Sequence, residues 1–93
     1  MSHYIALIED AGPDTAIGVW FPDLPGCFSA GDTVDEAMAH AEEALALYAA
    51  SVSAMPRART LTELKADPDI AVDIGAHIVA LIPFKSPVPA AAE

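Results

Sequence analysis

Phe21-Pro22-Asp23-Leu24-Pro25-Gly26-Cys27-Phe28-Ser29-Ala30-Gly31-Asp32 stands between an apolar, strand-like run and a long amphipathic segment. Pro22 and Pro25 fix φ at about −65° and supply no donor, so strand pairing stops there. Gly26 and Gly31 accept positive φ without steric cost, which suits tight turns on either side of a short strand. Cys27-Phe28-Ser29-Ala30 is long enough to be that strand. The stretch is thus expected to turn twice, add a strand and launch a helix.

Upstream, His3-Tyr4-Ile5-Ala6-Leu7-Ile8-Glu9 is apolar on both alternating faces, as expected for a strand covered on both sides. Asp10-Ala11-Gly12-Pro13-Asp14 reads as a hairpin connection, and residues 15–21 as the returning strand. Gly18 within that strand suggests a close approach by something, such as a helix backbone. Trp20 reads as a half-buried packing residue.

Downstream, Thr33-Val34-Asp35-Glu36 is a T-x-x-E capping box. Thr33 can accept from the Glu36 N–H, and Glu36 can reach back to the Thr33 N–H. Asp32, Asp35 and Glu36 also place negative charge at the positive end of the helix dipole. The helix is expected over 34–53, stopped by Pro56. Its apolar stripe is Val34, Met38, Ala41, Leu45, Tyr48 and Val52, flanked by Ala37 and Ala44. Asp35, His40, Glu42 and Glu43 fall on the solvated side. Leu47 lies about 120° from the stripe centre, either as an ordinary exposed leucine or as part of a second contact surface.

Arg57 and Arg59 are too few for a phosphate-binding patch, so residues 54–60 read as a solvated loop. Thr60-Leu61-Thr62-Glu63 is a second capping box, starting a short helix over 61–66 that Asp67-Pro68-Asp69 ends. Residues 76–84 read as the last strand, apolar enough for a central or near-central position. Residues 85–93 form a Pro/Ala-rich tail resembling a linker. The order of elements gives an α+β, two-layer domain over 1–84: an antiparallel sheet of about four strands with one long and one short helix.

The chain's 93 residues are 54% hydrophobic, ample for one core. Fourteen acidic residues against four basic ones give a net charge of −10. Binding phosphates takes clustered Lys or Arg, so no nucleic acid is expected to bind this chain alone. The acidity either attracts a basic protein or serves solubility alone. A lone cysteine, no signal peptide and no apolar run near the ~20 residues of a membrane span together lead to a cytoplasmic expectation, with no membrane association.

Little points to catalysis. His3, His40 and His77 show no metal-ligand spacing. Asp67, Asp69 and Asp73 lack the glycine and terminal Glu of a calcium loop. Cys27 has no basic neighbour to activate it and reads as a small buried hydrophobe. Glu9, Asp10 and Asp23 lie at strand ends, where a metal-dependent nuclease would gather carboxylates, but none lies inside an expected strand. No enzyme activity, metal or cofactor is expected.

The pattern F-P-D-L-P-G-C-F-S-A-G-D-T-x-D-E-A, Phe21 to Ala37, resembles the signature of the HicB family of antitoxins. Tyr4-Ile5-Ala6-Leu7-Ile8 before it and Glu43-Ala44-Leu45-Ala46-Leu47 after it agree, so the resemblance spans roughly residues 3–84. It implies a partial ribonuclease-H-like fold and a role in neutralising a small, basic, RNA-cleaving toxin, HicA, by occlusion. It also implies a C-terminal DNA-binding segment that represses the operon, in place of which this sequence carries its Pro/Ala tail. The chain is therefore either a fragment or a solo domain. Asp23, Leu24, Asp32, Asp35 and Glu36 are the expected toxin-facing residues, and a homo-oligomer is expected through free strand edges. The alternative is a stand-alone oligomeric or small-ligand-binding domain without a toxin; a degenerate nuclease is a third reading.

Overall fold

The computed structural model describes residues 2–10 and 12–84; the 85–93 tail lies outside them. The elements run β1 (Ser2–Glu9), β2 (Ile17–Trp20), β3 (Phe28–Gly31), α1 (Val34–Ser51), α2 (Leu61–Ala66), α3 (Pro68–Ala76) and β4 (Ile78–Phe84). The four strands form one antiparallel sheet in the order β3-β2-β1-β4. The first three strands are a meander. The last returns to pair along the whole of β1, from Ser2 opposite Phe84 to Ile8 opposite Ile78.

Every residue of 4–8 is buried, so β1 is covered on both faces as its apolar run predicts. Tyr4, Ala6 and Ile8 face α1 and join Ile17, Val19 and Phe21 in a core closed by Ala37, Ala41 and Leu45. The stripe of α1 is centred on those three residues, and Val34 at its start is exposed. Ile5 and Leu7 point to the other face by strand alternation. Fully buried Leu64 of α2, together with His77 stacked edge-on against Trp20, places the α2–α3 pair on that side.

The α+β class and the four-strand antiparallel sheet are as expected, with one further helix. Asp67-Pro68-Asp69 does end α2, but it also starts α3: the Asp67 carboxylate accepts from the Asp69 N–H at 3.0 Å, and Pro68 occupies the first turn, where its missing donor costs nothing. Three further expectations are corrected. β4 is an edge strand, not a central one, and leaves Ile78 and Leu81 54% and 60% exposed. Nothing lies within 4 Å of a Cβ built on Gly18. The close approach is at Gly31 instead, where a Cβ would sit 2.6 Å from the Ala37 backbone nitrogen. Gly31 has no positive φ; it is needed for clearance, not for a turn.

Candidate functional site

The Phe21 to Asp32 stretch folds as its prolines and glycines require. The Leu24 N–H donates to the Phe21 carbonyl at 3.0 Å across Pro22-Asp23, and the Cys27 N–H donates to the Leu24 carbonyl at 3.0 Å across Pro25-Gly26. Gly26, at φ +87°, supplies the left-handed corner of the second turn. The Phe21 N–H donates to the Cys27 carbonyl at 3.3 Å and closes the double turn.

This turn points inward, which corrects two of the five expected surface residues. Leu24 is 0% exposed, a core side chain. The Asp23 side chain, 4% exposed, accepts from Arg59 Nε at 2.6 Å and from the Arg59 backbone N–H at 2.8 Å. Arg59 reaches Asp67 at 3.2 Å as well. Arg57 makes a two-point contact with Glu63 at 2.8 and 3.1 Å. Residues 54–60 are therefore pinned by ion pairs rather than being a free solvated loop. The Tyr4 hydroxyl, donating to the Pro56 carbonyl, adds a further tether. Burial, then the Asp23 charge, raises the Tyr4 pKa. Cys27 is buried, and burial pushes its thiol pKa up, away from reactivity.

Asp32, Asp35 and Glu36 are exposed where β3 passes into α1. Thr33 Oγ1 accepts from the Glu36 N–H at 3.0 Å, as the capping box predicts. The Glu36 carboxylate reaches one residue further back than expected, accepting from the Asp32 N–H at 2.8 Å. Glu36 is thus committed to the cap. The side chains of Asp32 and Asp35 make no hydrogen bond or ion pair among the described residues, and project free negative charge. Along the same helix His40 Nδ1 lies 2.7 Å from the Ala30 carbonyl, tying α1 to β3. Glu42 and Glu43 are exposed.

Glu9 and Asp10 border a shallow pocket of about 400 Å³ with His77 and the end of α3, and Asp23 is not part of it. The three carboxylates considered for nuclease chemistry are not brought together. Among the described residues no group of three or more His, Cys, Asp or Glu side chains could hold a metal ion, and no helix is long and apolar enough to cross a membrane. What the described residues present at the start of α1 is an exposed acidic surface. Three large apolar side chains are exposed around it: Val34 at 38% between Asp32 and Asp35, and Phe28 and Leu47, both at 69%. The sequence marked Leu47 as off the core stripe, but Phe28, inside an expected strand, gave no such signal.

Residues 4–87 match the family described as the HicB_like antitoxin of bacterial toxin-antitoxin system. The crystal structure of the Burkholderia pseudomallei antitoxin HicB is similar at a TM-score of 0.70 and 26% identity, over 91% of this chain and 64% of that one. The N-terminal domain of that antitoxin gives a TM-score of 0.66 and 27% identity over 89% of this chain and 98% of that one. A chain of a HicA3 and HicB3 toxin-antitoxin complex shares the fold at a TM-score of 0.67 and 23% identity. An uncharacterized 14.9 kDa protein from the rep-hol intergenic region of Haemophilus phage HP1 is 63% identical over 45 residues, 48% of this chain and 32% of the phage protein. The chain thus spans less than two thirds of the length of the phage protein and of the first antitoxin.

Proposed function

The chain belongs to the HicB-like antitoxin family of bacterial toxin–antitoxin systems, and from that membership we propose that it binds and neutralises a small, basic, HicA-like RNA-cleaving toxin by covering its RNA-binding or catalytic surface. The family match over residues 4–87 carries this reading. The net charge of −10 supports it, because a nuclease that grips RNA phosphates must present a cationic face. Occlusion requires no catalytic group from the antitoxin, so we propose a non-enzymatic role without cofactor or metal. Asp32, Asp35 and Glu36 are proposed as toxin-facing. Repression of the operon is proposed only for a longer form with a DNA-binding segment.

Co-expression with the small basic protein encoded beside the gene tests this, followed by co-purification and an RNA-cleavage assay. A stable complex with cleavage suppressed is expected; absence of a complex at low salt, where attraction is strongest, removes the reading. A second reading, self-association without a toxin, is favoured by the free edge of β4 with Ile78 and Leu81 exposed. Light scattering on the purified chain measures it directly.

A further inference from the structure

We infer that the groove between the β3 edge and α1 is the apolar half of the surface that seats a small basic protein, with Phe28 and Leu47 as its anchors; this rests on the antitoxin reading above. The groove encloses about 290 Å³, with residues 26–28 on the strand side and Ala44, Leu47 and Tyr48 on the helix side. Single exposed apolar residues are ordinary on a protein surface. Two large ones from different elements bordering one concavity form a site that an apolar side chain of a partner can fill.

Charge decides which partner. Residues 1–56 contain no lysine or arginine, and the cations among the described residues, Arg57, Arg59 and Lys65, fall in the segment 57–65. Along α1, Glu36, His40, Glu43 and Leu47 recur at spacings of four, three and four, which makes them one edge of the helix. The His40 contact with the Ala30 carbonyl sets that edge beside β3. The groove therefore continues an acidic border that starts at Asp32 and Asp35. Around a two-fold axis a second copy would bring the same acidic border against itself. A small basic protein presenting an apolar side chain among lysines or arginines meets both halves. By contrast, the other apolar edge, β4, carries no charged residue from 78 to 84.

The test uses the full chain and the small basic protein encoded beside its gene. Affinity and rates are measured for Leu47→Asp, Phe28→Thr and Leu81→Asp, with melting curves and light scattering on each. Leu47→Asp and Phe28→Thr are expected to weaken binding about tenfold or more, through faster dissociation, with melting points little changed. Leu81→Asp is expected to bind as the unmodified chain does. Asp32→Lys with Asp35→Lys should instead slow association and reduce its salt dependence. Normal binding by both groove variants overturns the assignment while leaving the antitoxin reading intact. So does a change of oligomeric mass in Leu47→Asp without loss of affinity, since the groove would then close on a second copy. Failure of the unmodified chain to bind overturns the antitoxin reading itself, and the inference with it.

Discussion

Gly31 shows how one missing methyl group fixes the approach of a helix to a strand. A side chain there would meet the Ala37 nitrogen at 2.6 Å and its Cα at 3.0 Å, and both are backbone atoms that cannot swing aside. Gly31→Ala is therefore expected to destabilise by roughly 1–3 kcal/mol, as overpacking does, measurable by denaturant unfolding. An unchanged midpoint would mean that α1 can slide outward without loss. A second residue-level expectation concerns acid. The two-point bond from Arg57, with the Thr60 N–H adding to it, lowers the Glu63 carboxyl from its ordinary 4.5 to about 2 in the folded chain. A depressed folded-state pKa contributes stability that is complete above the unfolded value and is lost as the pH falls from about 4.5 toward 2. Glu63 is partly exposed, so the effect is modest and salt-sensitive. Unfolding curves between pH 6 and pH 2.5 should steepen this loss in the unmodified chain relative to Glu63→Gln; parallel losses would discount the pair.

Among the elements, those written in local pattern were legible. The double proline turn, the short strand after it and the capping boxes depend on neighbours close in the chain. The turn and the second box formed as their residues predict. The strand lies one residue later, and of the first box only the Thr33 half formed. What depends on distant partners was not. Asp23 and Arg59 are 36 positions apart, and nothing near either announces the pair. Apolar density in 78–84 correctly signals a strand, but edge or centre is a matter of topology, which density does not encode. Helix α3 was hidden by chemistry with two meanings, because Asp-Pro ends one helix and begins another equally well. In the candidate site Asp32 and Asp35 were legible as exposed helix-start charges, whereas Leu24 and Asp23 turned inward with the loop. The Asp23–Arg59–Asp67 clamp yields an element-level expectation. Arg59→Ala leaves the Asp23 carboxylate buried without its cation, so it should lower Tm more than the double variant with Asp23→Asn. A thermal double-mutant cycle measures this, and additive effects would show that the clamp holds nothing.

At the scale of the whole molecule, charge is sorted along the chain. The first 56 residues contain no lysine or arginine, and the arginines that follow are occupied by Glu63, Asp23 and Asp67. Association with a basic partner is therefore expected to slow about tenfold or more between low and high salt. Stopped-flow mixing would check this, and a salt-independent rate would point to recognition by shape alone. The register of β1 and β4 carries a different consequence. Ser2 stands opposite Phe84 and Ile8 opposite Ile78, so the first of the four described strands is completed by the last of them to be synthesised. On the ribosome, β1 must wait with one side unpaired until nearly the whole domain has emerged. A nascent or nicked chain ending before Ile78 would present the backbone of Tyr4 to Ile8 as an open, apolar edge. Within the described residues, the strand furthest along the chain is thus the one that covers the edge of the first.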